Sequence, residues 1–294
     1  MTLCFLGFGE AASEMARGLK SEGLKDIYAY DVMQTDERFG PAIRERVEKT
    51  GITLVDSVDE LTAKSDFLFS LVPAFAAKDA LQSVLGKLPA GSFYTDLTAS
   101  TPDAKKEMAK TAAENGLHFT DGAMLGALLV YQHKVPTLLS GDGAQEVYDR
   151  MTPFGMKLTV TSLNPGDASA VKLIRSIYMK GLASLVLETF TAADHFGVED
   201  KVLPSLAETI DSKSFMETSA RLVTGTMVHA ARRGAELGGS LKMLEDAGLD
   251  CRMTKAAFEK HKLVADSGIR EDLGGKPPKS WQEAILLLNQ HLNP

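Results

Sequence analysis

Only two cysteines, Cys4 and Cys251, occur in this chain of 294 residues, and they lie far apart in the sequence. Because neither belongs to a C-x-x-C pair, the chain lacks the cysteine patterns of metal sites and redox motifs. The histidines also lack metal-like spacing, so no metal site is expected. No apolar run approaches the roughly 20 residues that span a bilayer, and no charged leader precedes the first one. We therefore expect a cytoplasmic protein with no membrane partner.

The chain also lacks an excess of basic residues. Its 39 acidic residues outnumber the 32 lysines and arginines, which gives a formal net charge of -7. Proteins that bind nucleic acid through its phosphates present clustered lysine and arginine, so this balance argues against a nucleic-acid partner. A hydrophobic fraction of 44% indicates a globular protein. The length of 294 residues suggests about two domains.

The N-terminal segment up to Asp31 contains the most informative pattern. An apolar run at 3–6 meets a G-x-G-x-x-A sequence at 7–12, an amphipathic segment follows, and a second apolar run ends in the acid. This is the strand, glycine turn, helix, strand and acid of a dinucleotide-binding unit. The first glycine allows the turn, the second lets the backbone approach a pyrophosphate, and free N–H groups at the helix start face the phosphates. The predicted cofactor-binding residues are Gly7, Phe8, Gly9, Glu10, Ala11 and Asp31.

Asp31 also bears on which cofactor binds. An acid at the end of the second strand hydrogen-bonds a free ribose 2'-hydroxyl and repels a 2'-phosphate. No cation follows it until Arg38. NAD is therefore favoured over NADP. Leu71, Val72 and Pro73 form a turn after a later predicted strand, and we expect this turn to line the nicotinamide side of the site.

Up to about residue 160, short apolar runs alternate with helical patterns. This alternation predicts βα units and a doubly wound, mainly parallel sheet. Two strands are expected in the N-terminal segment, at 3–6 and just before Asp31. Further strands are expected at 67–72, 93–96, 117–120, 135–139 and 158–161. Helices are expected to start near Ala74, Pro102 and Gly143.

After Pro165 the pattern changes to helix throughout. Residues 167–196 contain apolar residues at helical spacing, and Gly197 is placed to end that helix as a C-terminal cap. Only helical patterns follow, with breaks predicted near Asp211, Gly238-Gly239 and Gly248. The sequence thus predicts an α/β domain at 1–163 and an all-α domain at 164–294, joined by the long helix. Its apolar surface predicts a homodimer built through the second domain.

Lys172 lies one and a half turns into the predicted long helix, just beyond the domain junction. Arg175 and Ser176 follow at i+3 and i+4, so the three side chains share one helix face. Small-molecule sites are common where domains meet. On spacing alone, Lys172 is either a functional group or the polar edge of an apolar helix.

Four motifs, in this order, resemble the β-hydroxyacid dehydrogenases, which include the 3-hydroxyisobutyrate, tartronate-semialdehyde and 6-phosphogluconate dehydrogenases. The motifs are the N-terminal G-x-G-x-x-A, Asp96-Leu97-Thr98 with Pro102 behind it, the segment 119–127, and Gly166 six residues before Lys172. The resemblance covers nearly the whole chain. It implies a Rossmann domain, an all-α dimerisation domain and hydride transfer between a nicotinamide and the hydroxyl-bearing carbon of a small β-hydroxy acid. It also implies that Lys172 is the general acid/base.

The chain departs from the family pattern where substrate would bind. The family's serine and two glycines are replaced by Leu125-Gly126-Ala127, and its two asparagines after the lysine by Arg175-Ser176. In this it resembles a divergent, phosphogluconate-dehydrogenase-like branch. Arg175 either replaces the lost donors with a bidentate contact to a carboxylate or phosphate, or forms a salt bridge with an acid such as Asp121 or Glu188. The predicted substrate-pocket residues in this part of the chain are Thr98, Met124, Leu125, Gly126, Ala127, Arg175 and Ser176. Thr98 is also a predicted cofactor-binding residue.

Thr226, His229 and Arg233 share one face of a later predicted helix. The family resemblance implies that the all-α domain contributes side chains to the active site at about this distance along the chain. His229 and Arg233 are therefore predicted substrate ligands, with a solvated helix face as the alternative. The sequence as a whole predicts an NAD(P)-dependent dehydrogenase or reductase of a small acid substrate. An imine reductase on the same architecture, which typically lacks the lysine, and a non-catalytic dinucleotide-binding regulatory protein stay open as alternatives.

Overall fold

The computed structural model describes residues 1–292 of the chain. Residues 1–177 form one compact unit, and a second unit begins at Tyr178. The domain boundary predicted from the sequence, at 163/164, lies before the long helix, and the two units divide within that helix. Its first turn belongs to the first unit because Ala168 and Ser169 are buried there.

An eight-stranded sheet forms the first unit. Its strands are β1 (Leu3–Leu6), β2 (Ile27–Tyr30), β3 (Thr53–Leu54), β4 (Phe67–Ser70), β5 (Phe93–Asp96), β6 (His118–Met124), β7 (Thr137–Ser140) and β8 (Leu158–Ser162). They are ordered β3-β2-β1-β4-β5-β6-β7-β8, and β6 and β7 pair antiparallel while the other neighbours pair in parallel. This order contains the doubly wound arrangement of dinucleotide-binding folds, which confirms the predicted fold class.

Helices cover both faces of this sheet. They are α1 (Glu10–Ser21), α2 (Gly40–Thr50), α3 (Val58–Lys64), α4 (Ala77–Val84), α5 (Pro102–Glu114), α6 (Leu128–Tyr131) and α7 (Ala144–Met151). Successive residues of a strand point to opposite faces, so β1 sends Leu3 and Phe5 into one apolar core and Cys4 and Leu6 into another. All four β1 residues are buried, as expected for a parallel strand between two helical layers.

Helix starts in this unit follow the sequence closely. Thr101 caps α5 by accepting a hydrogen bond from the Ala104 backbone N–H at 3.3 Å, and Pro102 occupies the first turn, where its missing N–H is harmless. Ser57 caps α3 in the same way. In contrast, the sequence analysis predicted no element between Asp31 and residue 67, where the structure has α2, β3 and α3. Helix α2 buries only Gly40 and Ile43, so its apolar pattern is weak.

The remaining elements are helices. They are α8 (Asp167–Phe196), α9 (Glu199–Asp211), α10 (Phe215–Asp246), α11 (Arg252–Ala265), α12 (Ile269–Asp272) and α13 (Trp281–Leu292). Helix α8 has the predicted bounds, and Gly197 after it has φ +62°, as a C-terminal cap requires. None of the helices within residues 1–292 has both the length and the apolar character needed to cross a membrane.

The predicted break at Gly238-Gly239 is wrong, because α10 continues through both glycines. A Cβ built on Gly238 would lie 3.4 Å from the Phe258 ring of α11. The glycine thus allows α10 and α11 to pack closely and does not end the helix. Within the same unit, the Glu188 carboxylate accepts the backbone N–H groups of Met253 and Thr254, both at 2.8 Å, and so caps the start of α11.

Candidate functional site

The glycine turn after β1 packs tightly against the turn after β4. Gly7 has φ +88°, and a Cβ on it would lie 2.8 Å from Val72 Cγ1 and 3.0 Å from the Leu71 carbonyl oxygen. Only glycine fits this conformation and this contact without strain. The structure thus brings together two segments that the sequence analysis assigned to cofactor binding, the 7–12 turn and the Leu71-Val72-Pro73 turn.

Open space lies over Gly9, at the start of α1. A Cβ on Gly9 would have no atom within 4 Å, unlike one on Gly7. The backbone N–H groups of Glu10 and Ala11 have no intrahelical acceptor, because they lie in the first turn of the helix. In the part of the chain that the structure describes, no side chain caps this helix start either. Exposed donors at a helix start, next to a glycine that leaves room, fit a dinucleotide pyrophosphate.

Asp31 holds this turn against the end of β2. Its Oδ2 accepts the Phe8 backbone N–H at 2.8 Å, and its Oδ1 accepts the Met33 N–H at 2.9 Å. Each carboxylate oxygen has a second lone pair, so the side chain retains acceptor capacity for a ribose hydroxyl. Arg44, a nearby cation, donates to the Gln34 carbonyl at 2.8 Å and thereby fixes the loop that follows Asp31.

Thr98 lies in a buried loop after β5. Its hydroxyl is 2.9 Å from Asp96 Oδ2 and 2.7 Å from the Ser100 hydroxyl, and its backbone N–H donates to Asp96 Oδ1 at 3.2 Å. The side chain is therefore engaged in fixing the loop. Its predicted contacts with substrate and cofactor stay predictions.

The predicted substrate segment 124–127 follows β6. Met124 and Leu125 are half-buried, whereas Gly126 and Ala127 are exposed. The Leu125 backbone N–H donates to the Pro136 carbonyl at 2.8 Å, which fixes the course of the segment. The exposed backbone at 126–127 leaves the end of this segment accessible to a ligand.

The first turn of α8, which precedes Lys172, is anchored to the sheet. The Ala168 backbone N–H donates to Ser140 Oγ at 3.1 Å. The backbone N–H and hydroxyl of Ser169 donate to the Asp121 carboxylate at 2.9 and 2.7 Å. Lys172 follows one turn later and is half-buried. Its helix position is thus fixed by Asp121 within β6 and by Ser140 at the end of β7.

Arg175 is exposed and Ser176 half-buried on the same helix. The two acids considered as salt-bridge partners of Arg175 are each engaged elsewhere. Asp121 pairs with the Lys105 ammonium at 3.1 Å, and Glu188 caps α11 in the second unit. The predicted contact of Arg175 with an anionic substrate group stays a prediction.

The predicted substrate ligands of the second unit lie on α10. Arg233 Nη1 donates to Thr226 Oγ1 at 2.5 Å and to the Leu222 carbonyl at 3.2 Å, so the guanidinium lies along its own helix. His229 is exposed. Thr226 and Arg233 therefore lie on one face of α10, and the role of Arg233 and His229 toward substrate stays a prediction. Within residues 1–292, no group of three or more histidine, cysteine or acidic side chains is arranged to hold a metal ion.

Lys105 is a member of this site region that the sequence analysis missed. Its ammonium lies between the carboxylates of Asp96 and Asp121, and all three side chains are fully buried. One signal could have found it. On α5 it shares a face with Met108 and Ala112, at i+3 and i+7, and both of these are buried.

The glycine turn, the open helix start and the acid after β2 are together the features of a dinucleotide-binding protein. A sequence profile described as the NAD binding domain of 6-phosphogluconate dehydrogenase matches residues 2–161, which is more than half of the 294 residues. A domain of unknown function, DUF1932, matches residues 193–264. The chain belongs to the β-hydroxyacid dehydrogenase family that shares this NAD-binding domain, which confirms the resemblance seen in the sequence.

Relatives extend the similarity beyond the NAD-binding domain. An uncharacterized 28.5 kDa protein of Methanothermus fervidus is 28% identical over 81% of this chain and 88% of its own length. The 2-(hydroxymethyl)glutarate dehydrogenase of Eubacterium barkeri is 24% identical over 71% of this chain and 68% of its own length. The crystal structure of a conserved hypothetical protein from Sinorhizobium meliloti has a TM-score of 0.62 at 30% identity and covers 99% of this chain and 97% of that one.

Imine reductases share the fold at lower identity. The enzyme from Myxococcus stipitatus in complex with NADP+ has a TM-score of 0.71 at 17% identity, covering 98% of this chain and 100% of that chain. At that identity the likeness concerns the fold alone. Family membership makes this chain an NAD(P)-binding protein.

Proposed function

We propose that this protein transfers a hydride between NAD and the hydroxyl-bearing carbon of a small β-hydroxy acid, or the matching carbonyl. Lys172 acts as general acid/base. The observation that supports this most is that one sheet forms the dinucleotide turn and also anchors the first turn of the helix that bears Lys172. The family relationship supports the same reaction class.

The proposed reaction divides the work between cofactor and protein. Bound nicotinamide supplies the hydride acceptor or donor. In the oxidation direction, Lys172 Nζ in its neutral form takes the proton of the substrate hydroxyl as the carbonyl forms, and it returns that proton in reduction. Arg175 binds the carboxylate or phosphate of the substrate through its guanidinium fork. The N–H groups at the start of α1 bind the cofactor pyrophosphate.

We propose NAD as the preferred cofactor. The Asp31 carboxylate is held in place by two backbone N–H groups, 2.8 and 2.9 Å away, and would meet a 2'-phosphate with like charge. A free 2'-hydroxyl can instead donate a hydrogen bond to it. The nearby Arg44 guanidinium donates to a backbone carbonyl, which supports the same preference.

We further propose that the protein is a homodimer formed through its second unit. Helix α9 buries none of its side chains, and apolar residues of α8 and α9 are exposed. Contiguous apolar surface of this kind marks interaction sites in soluble proteins. A second copy is the partner that a closed, symmetric assembly provides. The exposed apolar residues are Tyr178, Met179, Leu182, Leu185, Leu187, Phe190, Leu206 and Ile210.

A cofactor-linked absorbance screen tests the reaction class. Purified protein is incubated with NAD or NADP and a panel of 2- and 3-hydroxy acids in one arm, and with the reduced cofactors and cyclic imines in the other. We expect oxidation of at least one hydroxy acid, faster with NAD. Turnover of imines without turnover of hydroxy acids would contradict the proposal. Dinucleotide binding by calorimetry with no turnover in either arm would favour a regulatory protein.

A further inference from the structure

A buried ion cluster joins α5, β5 and β6. The Lys105 ammonium lies 2.8 Å from Asp96 Oδ2, 3.1 Å from Asp121 Oδ1 and 2.7 Å from the Asp96 carbonyl oxygen. All three side chains have 0% exposure. Burying a charge is unfavourable unless it is paired and hydrogen-bonded. The cluster therefore needs each of its members, and Lys105 is its only cation among the residues that these contacts name.

The Asp121 carboxylate also serves α8. Its two oxygens accept the backbone N–H and the hydroxyl of Ser169, and Oδ2 additionally accepts the Ser140 hydroxyl at 3.2 Å. Ser140 in turn accepts the Ala168 N–H, and the Asp167 N–H donates to the Asn164 carbonyl at 3.3 Å. The donors that a helix start normally leaves unsatisfied thus find partners in the sheet and its loops.

The Asp121 carboxylate links the ion pair with Lys105 to the start of α8. Two carboxylates face a single ammonium in this cluster, so Lys105 can balance the charge of only one of them. The start of α8 faces Asp121 with the positive end of its helix dipole, which favours that remaining charge. Without the Lys105 ammonium, Asp96 and Asp121 would repel each other in a buried environment. Asp121 would then no longer hold Ser169 in the same place.

We propose that Lys105 is a positioning residue for hydride transfer. Its ammonium holds Asp121 as the cap of α8, and α8 in turn holds Lys172, which lies three residues after Ser169 on the same helix face. The inference rests on the proposed function, because Lys172 is its acid/base. Lys105 itself touches neither substrate nor cofactor in this scheme.

The test compares two neighbouring lysines on α5. Lys105→Met removes the buried charge and keeps an unbranched side chain of similar length. Lys106→Met makes the same substitution at an exposed lysine. In Lys105→Met we expect kcat to fall on the order of 10²-fold, as small misplacements of catalytic groups do. KM and the Kd for NAD should stay within about two-fold, because the glycine turn is untouched. Amide hydrogen exchange at 166–172 should accelerate. Lys106→Met should match the wild type in every measurement.

Two further variants keep the inference testable if Lys105→Met does not fold. Lys105→Met/Asp121→Asn restores the original charge balance and retains an oxygen that can accept the Ser169 N–H, so it should recover at least about ten-fold in kcat over a folded single variant, or recover folding. Ser169→Ala removes only one hydroxyl from the Asp121 cap. It should lower kcat about ten-fold while the Kd for NAD stays unchanged.

Several results would overturn the inference. Turnover within about two-fold of wild type in both Lys105→Met and Ser169→Ala would show that the cap does not position Lys172. A parallel loss of NAD affinity, with faster exchange throughout residues 1–177, would assign Lys105 a general structural role. A wild type that oxidises no hydroxy acid contradicts the proposed function and this inference with it. An active wild type whose variants are equally active contradicts the inference alone.

Discussion

The two units of this chain differ in the size of their buried cores and in the amount of apolar surface that they expose. The first unit buries an ion cluster between α5, β5 and β6, together with two large apolar cores on either side of the sheet. The second unit has a small core centred on Met227, Ala230, Val264, Ile269 and Ala284, while large apolar side chains on α8 and α9 stay exposed. The first unit thus completes its own core. The second unit leaves apolar surface exposed, which the proposed second copy of the chain would cover.

A charge placed on the exposed apolar surface of the second unit should have the largest effect. Leu187 on α8 is 70% exposed, and Leu163 in the first unit is 73% exposed. Leu187→Asp should convert the proposed dimer to a monomer, because a carboxylate buried without a partner is strongly unfavourable at an interface. Leu163→Asp is the matched control and should stay dimeric. Light scattering at micromolar concentration measures both, and a monomeric parent protein would contradict the dimer.

A smaller effect is expected at the cofactor turn of the first unit. Asp31→Asn removes the negative charge that faces the ribose, so NADP should bind more tightly while NAD loses an acceptor. The ratio of the Kd for NADP to the Kd for NAD should fall about ten-fold, which is equivalent to about 1.4 kcal/mol in binding free energy. Glu37→Gln, on the exposed loop that follows, is the control and should leave the ratio unchanged. Titration calorimetry that finds NADP tighter in the parent protein would contradict the role assigned to Asp31.

The smallest effect separates the two cysteines, one in each unit. Cys4 is buried on β1, and burial raises the pKa of its thiol to about 12, while Cys251 is half-buried. A raised pKa leaves almost no thiolate below that pH, and the thiolate is the reactive form. In the native protein between about pH 7 and 9, a thiol reagent should therefore label Cys251 and spare Cys4. Mass spectrometry would contradict this if Cys4 reacted first.

The sequence predicted the parts of the fold where local chemistry and burial agree. The β1 strand, the glycine turn and the bounds of α8 were expected correctly, because buried strands and a glycine-capped helix leave strong patterns. Helix α2 escaped prediction because it buries little. The glycines at 238–239 predict a helix break, whereas in the structure Gly238 allows α10 to pack closely against Phe258 of α11.

The candidate site was only partly accessible from the sequence. Asp31 and Lys172 belong to motifs with fixed spacing, so they could be named. The helical spacing that Lys105 shares with Met108 and Ala112 indicates a buried side chain. It does not identify the two carboxylates that Lys105 pairs with, because these come from β5 and from β6, which are distant in the sequence. Only the sheet brings Asp96 and Asp121 next to each other, as paired residues of neighbouring strands.

The most direct test of the account is the turnover of Lys172→Ala, measured on the substrate that the screen identifies, alongside NAD affinity. Lys157→Ala, at an exposed lysine of the first unit, is the control. We predict that Lys172→Ala lowers kcat by about 10²- to 10⁴-fold, the range typical of general acid-base groups, while the Kd for NAD stays within about two-fold. A Lys172→Ala protein that keeps most of its activity would contradict the assignment of Lys172 as the acid/base.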